Sequence, residues 1–140
     1  MDPDCVFCKV VAGELPCYKL YEDELVLAFL DIGPLTAGHC LIIPKKHYVR
    51  LDDIGQEGAA TLAAIAQLAP KLAKAAMAAT GTADWNLLQN NGTVAGQVVG
   101  HVHFHVIPRS EGDGLGYRWP AGKLGPDDAE RLVQDISKAI

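Results

Sequence analysis

The sequence predicts an α+β fold in which antiparallel strands surround one long helix. The helix is predicted over Gln56–Thr80, a segment rich in alanine and leucine that ends at Gly81 as a C-cap. Three short strand-like segments precede it and two follow it. The later two, Trp85–Gln89 and His101–Ile107, are joined by a polar loop that is too short for a helical crossover, so they should pair antiparallel. Antiparallel strands around a single helix indicate a meander sheet of about five strands.

The other elements follow from local turn and cap signals. They are a helix over Cys5–Ala12, strands over Tyr18–Tyr21, Leu25–Leu30 and His39–Ile43, and a short C-terminal helix over Asp127–Ala139. Gly13 ends the first helix, Pro44 ends the third strand and Pro126 opens the last helix. No repeat or linker divides the chain, so residues 1–140 are expected to form one domain with a helical tail at about residues 126–140.

Composition and charge restrict the class of protein. The chain has 140 residues, of which 49% are hydrophobic and 21% charged, as is typical of a globular domain. Its 12 basic and 17 acidic residues give a net charge of −5, which argues against a nucleic-acid partner or an anionic membrane surface. No apolar run has the length of a membrane-spanning helix, and the acidic N-terminus is unlike a signal peptide. We therefore expect a cytoplasmic protein, in which four cysteines indicate metal ligands or free thiols.

The most informative segment is His101-Val102-His103-Phe104-His105, in which three histidines alternate with apolar residues. Alternate side chains of a strand share one face, so the three imidazoles should lie on one side of this strand. Packing alone does not explain three of the five histidines in this register. Two kinds of site fit the pattern: a histidine-ligated metal site, or nucleophilic catalysis by an imidazole whose neighbours hold its tautomer.

A Cys-x-x-Cys pair, Cys5 and Cys8, lies near the N-terminus. Such a pair is compatible with zinc ligation, with a redox site or with no function at all. A redox pair normally follows a strand, and none precedes Cys5. A tetrahedral zinc site needs two more ligands, for which His47 and one histidine of the alternating segment are candidates. Cys17 and Cys40 lack a close partner in sequence and are expected to be buried as small apolar residues.

A polar loop, residues 90–97, leads into the histidine segment. Its glycines, Gly92 and Gly96, would let backbone N–H groups approach an anion closely. An ordinary hairpin loop is the alternative interpretation. The position directly before three histidines favours the anion site.

Together these segments resemble the histidine triad family of small nucleotide hydrolases and nucleotidyl transferases, in its Hint-like and bacterial branch. His101–Ile107 matches the family's histidine motif in full, with Gly96-Gln97 before it. Leu41–His47 resembles the family's strand ending in Pro-Lys-x-His, and Ala28–Ile32 resembles its nucleoside-binding segment. The resemblance spans nearly the whole chain and implies the fold of that family.

The resemblance also implies the catalytic residues. His103 would be the nucleophile that attacks the α-phosphate of a nucleotide, and water would then cleave the nucleotidyl-imidazole intermediate. The carbonyl of His101 would accept from the other ring nitrogen of His103, which leaves the attacking nitrogen unprotonated. His105 and His39 would flank the phosphate, and Gln97 would hydrogen-bond near the leaving group.

A purine nucleotide pocket is implied as well. Asp31 would accept from both ribose hydroxyls, as a carboxylate with two oxygens can. The pocket would be completed by an apolar slot for the base and by the polar loop, with the residues Phe7, Phe29, Ile32, Leu41, Asn90 and Gly96. Nucleoside phosphoramidates, dinucleoside polyphosphates and aminoacyl-adenylates share the same reacting centre, and no organic cofactor is implied.

Relatives with an N-terminal Cys-x-x-Cys bind zinc with two further histidines. Carried over by position, the zinc ligands are Cys5, Cys8, His47 and His101. Four protein ligands fill a tetrahedral shell, so the zinc should be structural. The family also implies a homodimer formed through the long helix and the adjoining strand, and Ala60–Ala79 is apolar over most of its circumference.

The sequence leaves two alternative functions open and departs from the family pattern at one position. A metallohydrolase with His101, His103 and His105 as ligands is disfavoured, because the motif offers no acidic general base. A nucleotide-binding or scaffold protein with weak turnover remains the other alternative. The departure is Val98, which stands where family members commonly carry Ser or Thr, so a hydroxyl that would donate to the phosphate or leaving group is missing.

Overall fold

The computed structural model describes residues 1–116 and 120–140 and contains a five-stranded antiparallel sheet with one long helix. The elements are α1 (Val6–Val11), β1 (Lys19–Glu22), β2 (Val26–Leu30), β3 (Cys40–Pro44), α2 (Ala59–Thr80), β4 (Asp84–Gln89), β5 (Phe104–Arg109) and α3 (Pro126–Ala139). The α+β architecture with one long and one short C-terminal helix is therefore confirmed. Among the described residues, no helix is long and apolar enough to cross a membrane.

The strand order is β1-β2-β3-β5-β4, and every neighbouring pair is antiparallel. The first three strands form the expected meander. The chain then passes through α2 to the edge of the sheet, where it forms β4, and β5 returns between β3 and β4. The position of β5 between β3 and β4 places the residues around the histidine motif next to β3, with His105 opposite Leu41.

The two faces of the sheet bury different elements. On one face, α2 packs through residues spaced three or four apart, which is the stripe of an amphipathic helix. These residues are Thr61, Ile65, Ala69, Leu72, Ala73 and Ala76. On the other face, α1 buries Phe7 and Cys8 against Leu27, Phe29 and Ile43. Because α1 has only six residues, its position depends on these tertiary contacts rather than on helix propensity.

The expected strand over His101–Ile107 is wrong at its beginning, since β5 starts at Phe104. The preceding residues use other partners: the N–H of His101 donates to the Val99 carbonyl at 2.8 Å, and the N–H of Val102 donates to the Tyr48 carbonyl at 2.7 Å. In addition, β4 ends at Gln89, which pairs with Phe104, so β4 has no residue that could pair with the residues before Phe104. The expectation that one continuous strand carries all three imidazoles is therefore incorrect.

The remaining boundaries differ by a few residues. The first turn of the long helix, Gln56–Gly58, is 3-10 rather than α-helical, and the α-helix begins at Ala59. Pro44 closes β3 as its last residue. Cys40 is buried as expected, whereas Cys17 is only half-buried. The C-terminal helix α3 has no buried residue.

Candidate active site and metal centre

A cavity of about 690 Å³ opens between α1, β2, β3 and the polar loop. All seven predicted nucleotide-pocket residues line it: Phe7, Phe29, Asp31, Ile32, Leu41, Asn90 and Gly96. Three of the four predicted catalytic residues, His39, His103 and His105, also line it. The structure therefore brings most of the predicted site residues together in one cavity, although the segments that form it are far apart in the chain.

Several lining residues were not predicted as pocket residues. Val6 and Val10 lie on the same side of α1 as Phe7. Val10 follows Phe7 by three residues and Val6 by four, and this helical spacing could have predicted that they share one face. Leu35 and Val99 carry no such signal. Val98 lines the cavity with a side chain that is 91% exposed.

His103 has the geometry of an imidazole with one unprotonated nitrogen. Its side chain is 5% exposed, and its Nδ1 lies 2.6 Å from the carbonyl oxygen of His101. A carbonyl oxygen only accepts, so Nδ1 carries a proton, and Nε2 is the nitrogen that bears the lone pair in the neutral form of the ring. The ring of Phe7 packs edge-on against the imidazole with centroids 5.4 Å apart, which restricts its rotation.

His39 and His105 form a directly hydrogen-bonded pair beside His103. The distance from His39 Nε2 to His105 Nδ1 is 2.9 Å, and the rings of His103 and His105 lie 5.0 Å apart. Burial lowers the pKa of His105 to about 4, with further contributions from His103 and His39. Burial also lowers the pKa of His39, against the opposing effect of Asp31. Both rings are therefore neutral at pH 7.

Gln97 is buried but does not line the cavity. Its Nε2 donates to the carbonyls of Val49 at 2.6 Å and Val99 at 3.0 Å, and its Oε1 accepts from the N–H of Gly92 at 2.7 Å. These bonds use both amide hydrogens, so the side chain holds the polar loop in shape. A hydrogen bond from Gln97 to a leaving group would require one of them to break.

The cavity is polar at one end and apolar over most of its wall. Asp31 is the carboxylate among its described lining residues, and one of its oxygens accepts from the N–H of Gly33 at 2.8 Å. The other oxygen lies 3.6 Å from His39 Nε2. An apolar slot that ends at a carboxylate and three imidazoles suits a ligand with a flat apolar part and a charged polar part.

The four predicted zinc ligands lie close together, and the ring of one of them, His101, is 5.9 Å from the Phe7 ring. The potential ligand atoms of Cys5, Cys8, His47 and His101 all lie within 4.8 Å of one another. Cys5 Sγ is 3.4 Å and Cys8 Sγ is 3.8 Å from His101 Nδ1, and Cys8 Sγ is 3.3 Å from His47 Nδ1. Tetrahedral zinc with ordinary bond lengths separates a sulfur and a nitrogen ligand by about 3.5 Å. The residues present therefore fit this metal.

Outer contacts orient these ligands. The ring nitrogen of His101 that faces away from the cysteines, Nε2, lies 2.9 Å from the carbonyl oxygen of Pro44 and must donate to it, so Nδ1 is free for a metal. The N–H of Cys8 donates to Cys5 Sγ and the N–H of Asp2 donates to Cys8 Sγ, both at 3.4 Å. Backbone donors of this kind stabilise thiolate ligands. Burial lowers the pKa of His101 to about 4, so its ring is neutral and able to ligate.

The alternative hypothesis of a metal held by the three motif histidines does not fit this arrangement. His101 is directed to the two cysteines, whereas His103 and His105 line the cavity. The motif therefore contributes side chains to two different candidate sites. His101 belongs to both, since its side chain faces the cysteines while its carbonyl accepts from His103.

Comparisons with known proteins agree with this geometry. A family model described as the HIT domain matches residues 12–112. Adenosine 5′-monophosphoramidase from Schizosaccharomyces pombe is 44% identical over 137 residues, which cover 97% of this chain and 98% of that protein. A crystal structure of a Streptococcus mutans protein superposes with a TM-score of 0.91 at 42% identity, over 99% of this chain and 87% of that one.

A third comparison bears on the metal centre. The structure of a zinc-bound histidine triad family protein from Mycobacterium smegmatis superposes with a TM-score of 0.73 at 38% identity, over 98% of each chain. The matched family model and the relatives that align over nearly the full length show that this chain belongs to the histidine triad family.

Proposed function

We propose that this protein is a nucleotide hydrolase and nucleotidyl transferase that acts at the α-phosphate through a covalent nucleotidyl-His103 intermediate. The observation that carries the proposal is the 2.6 Å contact between His103 Nδ1 and the His101 carbonyl, in a cavity that also holds His39 and His105. A neutral imidazole with a bare nitrogen is a competent nucleophile near pH 7. The relative from Schizosaccharomyces pombe, named an adenosine 5′-monophosphoramidase, supports a nucleoside phosphoramidate as one substrate class.

The reaction has two balanced steps. In the first, the lone pair of His103 Nε2 forms a bond to the α-phosphorus while the bond to the leaving group breaks, and a leaving amine takes up one proton from solvent. In the second, water attacks the same phosphorus, the bond to His103 Nε2 breaks, the nucleoside monophosphate leaves, and the proton released by water returns to solvent, which restores the neutral imidazole. Orientation in the cavity removes part of the entropic cost of the first step.

The shape of the cavity supports a purine nucleotide as the bound ligand. The base would lie in the slot between Phe7, Phe29, Ile32 and Leu41, and Asp31 would accept from the ribose hydroxyls. Asn90 and Gly96 would lie near the phosphate. Gln97 would donate to the leaving group after one of its hydrogen bonds to the Val49 and Val99 carbonyls breaks. Dinucleoside polyphosphates have the same reacting phosphorus and remain a second substrate class.

We further propose that Cys5, Cys8, His47 and His101 hold a structural zinc ion. Four ligands leave no open position, so the metal would supply a cross-link and no catalytic water. It would fix α1 to the segment before β5. The fit of the sulfur and nitrogen distances to a tetrahedral ion supports this assignment.

A homodimer in the cytoplasm is the assembly and location that we propose. The edge strand β4 and the adjacent face of α2 support the dimer, because Leu87 of β4 is 49% exposed and α2 carries exposed alanines outside its buried stripe. Four unpaired cysteines are typical of a reducing compartment.

Trapping the intermediate tests the proposed function. Mixing the enzyme with adenosine 5′-phosphoramidate and quenching within the first turnover should yield a protein adduct heavier by one adenylyl group and mapped to His103. His103→Ala should lose AMP release by at least about a thousandfold while nucleotide binding persists. Activity of His103→Ala within tenfold of the wild type would refute the nucleophile. Nucleotide binding without any adduct or release would favour the alternative of a binding or scaffold protein.

A further inference from the structure

The side chain of His39 contacts a backbone donor that the proposed reaction does not use. The N–H of Leu35 points at His39 Nδ1 at a distance of 3.1 Å. A backbone N–H only donates, so His39 Nδ1 must be the unprotonated nitrogen of this ring. Because the pKa of His39 is lowered by burial, the ring is neutral and its single proton lies on Nε2.

The tautomer of His39 determines the tautomer of His105. His39 Nε2 lies 2.9 Å from His105 Nδ1, and a hydrogen bond between two imidazole nitrogens needs one donor and one acceptor. With the proton on His39 Nε2, His105 Nδ1 is the acceptor and the proton of neutral His105 lies on Nε2. The reverse arrangement would place a proton on His39 Nδ1, directly against the N–H of Leu35.

Asp31 favours the same arrangement. One of its carboxylate oxygens lies 3.6 Å from His39 Nε2, where a negative charge stabilises an N–H and disfavours a bare lone pair. The other group that faces the pair is His103, whose Nδ1 proton is held by the His101 carbonyl. No described contact of the pair favours the opposite tautomers.

We infer that the backbone amide of Leu35 is a positioning group that sets the tautomers of His39 and His105. Two adjacent imidazoles of the cavity then have opposite polarity: His103 presents a lone pair and His105 presents an N–H. The backbone groups responsible are a carbonyl at His101 and an amide at Leu35. In the reaction proposed above, on which this step rests, the Nε2–H of His105 would donate to an oxygen of the α-phosphate without carrying a charge.

The same tautomers argue against a second metal at Asp31, His39 and His105, although these three side chains also lie within ligand distance of one another. A metal at His39 Nε2 would need the proton to move to Nδ1, where it would meet the Leu35 amide. The loop that supplies this amide begins at Asp31 and is closed by the N–H of Asp31 donating to the His39 carbonyl at 3.0 Å. The conformation of this loop therefore determines where the Leu35 amide lies and, through it, the tautomers of His39 and His105.

Nitrogen-15 NMR of the labelled wild-type protein at neutral pH tests the inference directly. Couplings between ring protons and ring nitrogens distinguish a protonated nitrogen from a bare one. We expect bare Nδ1 and protonated Nε2 for His39 and His105, and the reverse for His103. A protonated Nδ1 on His39 or His105, or two protonated nitrogens on either ring, would overturn the inference.

A matched pair of variants links the tautomers to turnover. Leu35→Pro and Leu35→Ala both remove the leucine side chain, but only the proline removes the N–H. For Leu35→Pro we expect mixed tautomers of His39 and His105 and a kcat about three- to tenfold below that of Leu35→Ala, the effect of one neutral hydrogen bond, at similar KM. Equal kcat and unchanged tautomers in the two variants would overturn the role of the amide.

The two readouts also separate this inference from the proposed function. If Leu35→Pro does not fold, the wild-type tautomers alone decide the inference. If the wild type has the expected tautomers but forms no adduct with adenosine 5′-phosphoramidate, the proposed reaction fails while the tautomers assigned to His39 and His105 stand.

Discussion

Replacing Cys8 by serine should remove the metal and lower the melting temperature by about 10 °C. A bound metal stabilises the folded state by roughly 2.7–4.1 kcal/mol when its concentration is about 100–1,000 times its dissociation constant. A chain of 140 residues has an unfolding entropy of roughly 0.3 kcal/mol per kelvin near its melting temperature, so this loss corresponds to about 9–14 °C. The structure indicates where the loss acts: α1 has six residues and cannot hold its position without the tertiary contacts of Phe7, Cys5 and Cys8.

Cys40→Ser is the matched control for this measurement. Cys40 and Cys8 are both 1% exposed, so the two substitutions bury a hydroxyl to the same extent. Cys40 is outside the ligand group, and its thiol donates to the Gly38 carbonyl at 3.0 Å, a bond that a serine hydroxyl can keep. We expect Cys40→Ser to retain one zinc per chain and to melt within a few degrees of the wild type.

The assay combines metal analysis with thermal melting before and after chelation, on protein purified under reducing conditions. Reducing conditions are needed because thiols lost to a disulfide cannot bind metal. Wild-type protein should contain one zinc per chain, and chelation should lower its melting temperature to that of Cys8→Ser. If wild-type protein contains no stoichiometric zinc, or if Cys8→Ser melts no lower than Cys40→Ser, the cross-linking role of this centre is refuted.

Three further predictions concern the cavity and the assembly. Val98→Thr should raise kcat about tenfold for a phosphoramidate with an amine leaving group and less for a dinucleoside polyphosphate, because it restores a donor at the cavity mouth; equal effects on both would contradict this. Burial lowers the pKa of His105 to about 4, so on acidification this histidine binds its proton in the unfolded chain before it does so in the folded protein. The free energy of unfolding should therefore decrease as the pH falls from about 6.5 to about 4. Melting curves of His105→Asn should show a weaker pH dependence in this interval than the wild type. Light scattering at micromolar concentration should give the mass of a dimer, and a monomer mass would contradict the proposed assembly.

The sequence predicted the members of the cavity better than the contacts inside it. Asp31 and Phe29 were found because residue type and order match a known family, and that match survives small errors in strand boundaries. Leu35 was not predicted as part of the site, because its contribution is a backbone N–H, which every residue except proline has. Gln97 was predicted to lie near the leaving group because the Gly-Gln pair before the histidine motif matches the family pattern. Only the structure shows that its amide donates to the carbonyls of Val49 and Val99.

The beginning of β5 explains how one motif serves two sites. On a continuous strand, His101, His103 and His105 would share one face at regular intervals and offer one kind of environment. Because the chain leaves the strand pattern before Phe104, the side chain of His101 reaches the cysteines of α1 while its carbonyl is free to accept from His103. A carbonyl paired in a sheet ladder would already have a strand partner along this direction. The backbone at the start of the motif, which pairs with Val99 and Tyr48 and not with a strand, therefore allows both the contact of His101 with the cysteines and the contact of its carbonyl with His103 Nδ1.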